Sequence, residues 1–366
     1  MPLSAIQPHR YDELLQKKVE ALRPAFDHLE APPSQIFSSP KAGFRLRVEF
    51  RLWHEGDRLF YAMFRPGEPR APIPIASFPI AADSIQQLMP QLLSALTADD
   101  TLRYKIFQVE FLSTLSGDML VTLVYHRALD DAWQAAAKTL AAALNINIVG
   151  RSRKQKLIIG QDWVDESLNV KGNVFHYRQP EQSFTQPNGW VNQHMLGWAT
   201  AACEELSGDL LELYCGNGNF TLPLANVFRR VLATEVSKVA IRAAIENLER
   251  NGITNVAFAR LSAEEMTQAL NGTRPFRRLA NLPAPLSDYQ LKTLLVDPPR
   301  AGLDAATLSL ASQFENILYI SCNPATLLAN LTHLRATHRI ERLAFFDQFP
   351  YTPNLESGVL LTRRPA

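Results

Sequence analysis

Cys322 and Glu356 are the two residues whose types could carry a covalent reaction. Cys322 stands in the run Tyr319-Ile320-Ser321-Cys322-Asn323-Pro324. Asn316 to Ile320 reads as a short buried strand, and Pro324, lacking an amide N–H, can only open a helix. The partial positive charge of that helix start is expected to favour thiolate over thiol at Cys322. Taken alone, a cysteine on a strand is more often a buried packing residue. Glu356, in Thr352-Pro353-Asn354-Leu355-Glu356-Ser357-Gly358, precedes an apolar run and could act as a base, although a carboxylate so placed is more often solvated. A thiolate and a base together suit one chemistry. Addition of the thiolate to carbon 6 of a pyrimidine makes carbon 5 nucleophilic, and the base then removes the carbon-5 proton so that sulfur can leave.

A second constellation surrounds a cofactor. Leu211 to Phe220 (LELYCGNGNF) is a strand entering a glycine turn and then a helix. Gly216 and Gly218 allow a sharp turn and close approach of backbone to ligand. Glu235 ends the next strand, where a carboxylate can accept both hydroxyls of a ribose. A dinucleotide site asks for a third glycine three residues after the second, and here that place is Thr221. Glu212, Glu235 and the corner Asp297-Pro298-Pro299-Arg300 fit S-adenosyl-L-methionine better, with a nicotinamide dehydrogenase as the alternative. Enzymes that methylate exocyclic amines usually carry an aromatic residue after such an Asp-Pro-Pro; Arg300 there argues for a different acceptor atom.

The elements that must position these residues follow from apolar spacing. After about Arg178, short apolar strands (Asp209–Tyr214, Arg230–Glu235, Asn255–Arg260, Thr293–Asp297, Asn316–Ser321) are mostly separated by helices, including 238–251 and 325–337. That order predicts a largely parallel, doubly wound sheet. Two final strands, about 340–346 and 358–362, are joined only by a loop, an ending that suits a class I methyltransferase. Before Arg178 the pattern differs. Residues 44–53 alternate apolar and polar, as a half-buried strand does, and 58–64 completes a hairpin. Residues 106–111 and 120–125 suggest a second hairpin, and Ser84 is placed to cap an amphipathic helix.

Composition sets the remaining bounds. The 366 residues are 46% hydrophobic and 20% charged with net charge +1, so the chain is globular, has room for two cores and has no bulk attraction to polyanions. No apolar run approaches the roughly 20 residues that cross a bilayer. Met1 to Ile6 shows no export signal, which leads to the expectation of a cytoplasmic protein. Cys203, Cys215 and Cys322 form no C-x-x-C pair, so neither a metal nor a disulfide framework is expected, and Cys203 and Cys215 read as packing residues.

Five segments in order carry a resemblance: Phe184-Thr185-Gln186-Pro187-Asn188, the Tyr214–Phe220 loop, Asp297-Pro298-Pro299-Arg300-Ala301-Gly302, Ser321-Cys322-Asn323-Pro324, and Asp347-Gln348-Phe349-Pro350 with Glu356. The chain resembles the RNA uracil-C5 methyltransferase family over its whole second half, and its length and first-half pattern resemble the members that act on tRNA. The resemblance implies a class I S-adenosylmethionine-dependent (Rossmann-like) α/β domain at 179–366, preceded by an α+β RNA-binding domain with an antiparallel sheet at 1–178. It implies S-adenosyl-L-methionine as methyl donor and the T-arm of tRNA as partner, the T-loop uridine becoming 5-methyluridine. Cys322 would be the nucleophile and Glu356 the proton acceptor, while Gln186, Tyr214, Asn219, Glu235 and Asp297 would line the pocket, Asp297 facing either cofactor or uracil. Ribosomal relatives hold an iron–sulfur cluster on four cysteines, which three cysteines cannot supply. The family often has His two residues before the Glu, where this chain has Asn354, so Glu356 would release its proton to water. Arg45, Arg47 and Arg51, with Arg151, Arg153, Lys154 and Lys156, are candidate phosphate contacts. A monomer is expected. The alternatives are C5 methylation of another RNA (tmRNA or rRNA) or of cytosine, and a non-catalytic RNA-binding or folding module.

Overall fold

The computed structural model describes residues 3–65 and 67–365. Packing divides the chain into two discontinuous units, one of residues up to Pro8 with Pro40–Ser167 and Gln179–Gly189, the other of His9–Ser39, Leu168–Arg178 and Trp190 onward. Where the sequence suggests one boundary after residue 178, the N-terminal helix instead packs with the C-terminal half.

In chain order, α1 (Tyr11–His28) and β1 (Gln35–Phe37) come first, then β2 (Arg47–Glu55), β3 (Arg58–Met63), β4 (Ile73–Ile75), α2 (Asp83–Ala98), α3 (Asp100–Arg103), β5 (Ile106–Ser113), β6 (Met119–Tyr125), α4 (Asp131–Leu144), β7 (Asn147–Ser152) and β8 (Gln155–Ile159). The hairpin β9 (Trp163–Val170) and β10 (Asn173–Pro180) follows, then α5 (Gly189–Cys203), β11 (Asp209–Leu213), α6 (Thr221–Leu224), β12 (Val231–Thr234), α7 (Lys238–Arg250), β13 (Val256–Ala259) and α8 (Ala263–Leu270). The chain closes with β14 (Leu291–Val296), α9 (Ala305–Ala311), β15 (Asn316–Ser321), α10 (Pro324–Leu334), β16 (His338–Phe346) and β17 (Glu356–Arg363).

The first unit is a seven-stranded sheet in the order β4-β3-β2-β5-β6-β7-β8. On β2 the alternation holds: Val48, Phe50 and Leu52 are buried, while Glu49 and Arg51 are exposed. Phe50 meets Tyr61, Phe78 and Phe111 at ring separations of 5.5–6.4 Å, so one apolar face gathers the aromatic core. The sheet is not wholly antiparallel, because α4 serves as a crossover and β6 pairs parallel with β7. Ser84 does not cap α2. The N-cap position is Ala82, without a side-chain hydrogen bond, and the Ser84 hydroxyl pairs with that of Ser113 at 3.0 Å.

The second unit is an eight-stranded sheet in the order β1-β16-β17-β15-β14-β11-β12-β13. Strands β15, β14, β11, β12 and β13 are parallel, and β17 lies antiparallel between β15 and β16. Every residue of β11 and β12 is buried, and the two carboxylates of β11, Asp209 and Glu212, are hydrogen-bonded to Arg229 and Thr221. Strand order reverses at β11, and the carboxyl ends of β11 and β14 frame the crevice where such sheets bind ligands. Cys203 ends α5 fully buried, a packing residue as expected. No helix among the described residues is long and apolar enough to cross a membrane.

In the first unit, the buried Trp133 of α4 sits over Gly150 of β7, where an added Cβ would lie 2.1 Å from the indole. Gly150→Ala should therefore destabilise this unit by about 1–3 kcal/mol through overpacking. Urea denaturation followed by tryptophan fluorescence should show a lowered midpoint, and an unchanged midpoint would contradict the packing described.

Candidate active site

The loop after β11 is built from left-handed backbone. Tyr214 (φ 62°), Gly216 (57°) and Gly218 (87°) turn the chain within five residues. Tyr214, with its Cβ, takes this conformation at a cost of about 1–3 kcal/mol. Nothing lies within 4 Å of where a Gly216 Cβ would be, so a ligand can rest against that backbone. Glu235, just past β12, accepts the Gly216 N–H at 3.2 Å on Oε2 and the Val236 and Ser237 N–H groups, each at 2.8 Å, on Oε1. These donors fix the carboxylate and leave further lone pairs for vicinal hydroxyls. Below the loop, Glu212 accepts the Thr221 hydroxyl at 2.6 Å, and burial pushes its carboxyl up to about 8. Thr221 thus has its own partner at the place where a dinucleotide site would have glycine.

Two asparagines that sequence reading passed over hold this loop. Asn192 of α5 exchanges amide hydrogen bonds with Asn219 at 2.9 and 3.0 Å, and the Asn219 carbonyl accepts the Tyr177 hydroxyl at 3.0 Å. The buried Asn247 of α7 donates to the Asn217 carbonyl at 3.0 Å and accepts the Arg178 N–H at 2.6 Å. A buried asparagine on a helical face is the signal that could have found them. Cys215 is buried in the loop, and burial holds its thiol well above its ordinary range.

Cys322 and Glu356 are brought together by strand register. Ser321 of β15 faces Ser357 of β17, and the ladder is antiparallel, so the next position places Cys322 opposite Glu356. Glu356 is only 3% exposed, not solvated in a loop, and burial together with Asp297 raises its carboxyl well above the carboxylate range. Burial also pushes Asp297, at the end of β14, up to about 7.

The expected thiolate at Cys322 is corrected by this setting. Burial, then Glu356 and Asp297, push the thiol up to about 11 against the opposing pull of Arg300. The helix start is as expected, with Pro324 in its first turn, but Asn323 is its cap, accepting the Ala325 N–H at 3.2 Å. Cys322 therefore stands outside the helix, where two carboxyls and desolvation outweigh the dipole. Asn323 also donates to the Arg300 carbonyl at 2.9 Å, and the Arg300 guanidinium donates to Asn354 Oδ1 at 3.4 Å. Asn354 thus has a partner in place of a proton to relay.

The basic residues divide by partner. Arg45 donates to the Arg47 carbonyl at 3.0 Å, and Arg47 donates to the carbonyls of Ser183, at 2.7 Å, and of Glu181. Both arginines thus serve the first unit's own backbone. Arg151 forks onto Glu181 at 2.5 and 2.6 Å, and Lys156 pairs with Asp162 at 2.6 Å. Arg51 is exposed, 3.8 Å over the ring of Phe107, which stacks on His126 with centroids 4.1 Å apart. Sequence reading missed this platform because its three members come from β2, β5 and the residue after β6. Arg153 and Lys154 are exposed at the turn of the β7–β8 hairpin, and Arg153 joins His126 and Arg127 around a cleft of about 760 Å³. Gln186 is half-buried in the 179–189 segment of the first unit. Among the described residues, no group of three or more His, Cys, Asp or Glu is placed to hold a metal ion.

The sheet order, the glycine turn with its acidic partner and the thiol–acid pair define a class I S-adenosylmethionine-dependent methyltransferase domain. The chain belongs to the tRNA (uracil-5-)-methyltransferase family, whose sequence model matches residues 10–364. The tRNA/tmRNA (uracil-C(5))-methyltransferase of Pseudomonas savastanoi pv. phaseolicola is 56% identical over 357 residues, covering 98% of each chain. The protein of that name from Stutzerimonas stutzeri is 56% identical over 364 residues, 100% of each chain. In fold, the chain is similar to the Pyrococcus abyssi tRNA (uracil-54, C5)-methyltransferase solved with S-adenosyl-L-homocysteine, with TM-score 0.73 and 21% identity over 96% of this chain and 83% of that one.

The thiol's environment gives a test in the free protein. Because the folded Cys322 thiol is raised to about 11, the reactive thiolate is a small fraction at pH 7.5 and grows as pH rises. Iodoacetamide labelling of Cys322, followed by mass spectrometry, should accelerate with pH to beyond 9. A rate that levels off below pH 8 would contradict the burial-dominated environment.

Proposed function

We propose that the protein transfers a methyl group from S-adenosyl-L-methionine to carbon 5 of the T-loop uridine of tRNA, through a covalent adduct between Cys322 and carbon 6. The observation that carries this reading is the position of Cys322, just past the carboxyl end of β15, next to the buried Glu356 that begins β17, with Asp297 at the end of β14. Cys322 Sγ adds to carbon 6, and the electron pair gathers on the enolate at carbon 5. S-adenosyl-L-methionine, when bound, supplies the electrophilic methyl and a positive sulfonium, and a positive charge beside this acid cluster favours its ionised forms. The Glu356 carboxylate then takes the carbon-5 proton, the carbon 5–carbon 6 double bond returns, and the thiolate leaves. The open backbone at Gly216 and the fixed carboxylate of Glu235 suit the nucleoside of that donor, with Tyr214, Asn219 and Asp297 as further residues of the second unit proposed to line its site.

The first unit serves as the RNA-binding domain in this reading. Arg51 with Phe107 and His126 offers a cation and stacked rings to an unstacked base, and Arg153 and Lys154 offer phosphate contacts. Substrates of this kind place the enzyme in the cytoplasm, and we propose that it acts as a monomer. The relatives' names couple tRNA with tmRNA, which supports tmRNA as the alternative substrate.

Nucleoside mass spectrometry of unmodified tRNA, after incubation with enzyme and donor, should place one methyl at carbon 5 of uridine 54, the position named for the Pyrococcus abyssi protein. Cys322→Ala should abolish this product and the stable adduct with 5-fluorouridine RNA while RNA binding persists. A methyl at another nucleotide, or an adduct that survives Cys322→Ala, would overturn the reading.

A further inference from the structure

Lys18 of α1 is held inside the second unit, its side chain 10% exposed, against an Asp347 side chain that is 1% exposed. Its ammonium donates to Asp347 Oδ1 at 2.7 Å, to the Phe349 carbonyl at 2.9 Å and to the Asn354 carbonyl at 3.1 Å. A lysine has three N–H donors, so this set uses all of them. The acceptors span the loop between β16 and β17, the last of them two residues before Glu356. A surface ion pair would contribute little, but here both charges are out of water and the ammonium also satisfies two loop carbonyls. The loop needs such a tie. It holds Pro350 and Pro353, and Tyr351 takes a left-handed φ of 63° that a residue with a Cβ adopts only when its surroundings impose it. A second contact comes from the same helix, where the Tyr11 ring meets Tyr351 edge-on with centroids 6.0 Å apart. The start of the loop is fixed too, by the Asp347 N–H donating to the Phe37 carbonyl at 3.0 Å.

We propose that Lys18 is a positioning residue for Glu356: by tying both ends of the 347–354 loop to α1, it sets where the carboxyl meets the carbon-5 proton. This rests on Glu356 as the proton acceptor. The consequence is selective. Addition of Cys322 and methyl transfer do not use Glu356, so loosening the loop slows the elimination step and leaves the methylated RNA attached to the enzyme.

The test follows both products in a single turnover with methyl-labelled donor, scoring free methylated RNA against label retained on denatured protein. Lys18→Met alone leaves the Asp347 carboxylate buried without its counter-cation, with the Tyr11 side chain still bonded to it, so the working variant is Lys18→Met with Asp347→Asn, which removes the ammonium without stranding a charge. With donor binding and melting midpoint near those of the unaltered enzyme, product release should fall by about 10²-fold, the scale of a small misplacement of a reacting group, while protein-bound label accumulates. Asp347→Asn alone, in which Lys18 still reaches both carbonyls, should lose only a fewfold. Elimination at the normal rate in the double variant, or equal losses in the two variants, would overturn the proposal. Glu356→Gln separates this from the underlying mechanism. If that variant releases product normally, Glu356 is not the proton acceptor; if it traps label and the double variant does not, Lys18 alone is misassigned.

Discussion

Strand β17 runs against both of its neighbours, and the register of that double ladder decides whether the proposed nucleophile and base meet. A slip of one residue would turn Glu356 to the opposite face of the sheet, away from Cys322. The register is held on both sides, with Phe346 facing Glu356 across β16 and Ser321 facing Ser357 across β15. Every residue of β17 from Glu356 to Leu361 is buried, so a slip would exchange the side chains packed on its two covered faces. Burial thus fixes the pairing, the pairing places the two groups, and their closeness under desolvation sets their chemistry.

That closeness has an electrostatic consequence. Cys322, Asp297 and Glu356 all hold their protons more tightly than they would in water, with burial the largest cause in each case. All three groups thus lean toward their protonated forms, and in the proposed mechanism a nearby cation would favour the ionised ones. Arg300 already pulls in that direction, and its guanidinium is held by the Asn354 amide. The charged work of the first unit is different in kind. There Arg47 and Arg151 bind the segment around Glu181, while Arg51, Arg153 and Lys154 are exposed and are the cations proposed to meet RNA.

Much of this fold was legible because its cause is local. Parallel strands buried on both faces are mostly apolar, a proline is favoured in the first turn of a helix, and a glycine turn followed by an acidic strand end has few other uses. What sequence could not show depends on partners far away in the chain. The protonation of Cys322 follows from Glu356 and Asp297, which only strand pairing brings near. Arg45 and Arg47 look like free cations on a strand face until folding gives Arg45 the Arg47 carbonyl and Arg47 the carbonyls of Glu181 and Ser183. Lys18 and Asp347 are 329 residues apart, and neither type nor spacing marks them as a pair. The crossover that makes β6 and β7 parallel was hidden because α4 reads like any amphipathic helix, whichever way it sends the chain.

The pairing of thiol and carboxyl across β15 and β17 is tested most directly by the crystal structure of the adduct trapped with the donor and a 5-fluorouridine T-arm RNA. It should show Cys322 Sγ bonded to carbon 6 and the Glu356 carboxyl within hydrogen-bonding reach of the substituent at carbon 5. A bond from another residue, or a different base at carbon 5 with Glu356 turned away, would contradict the account.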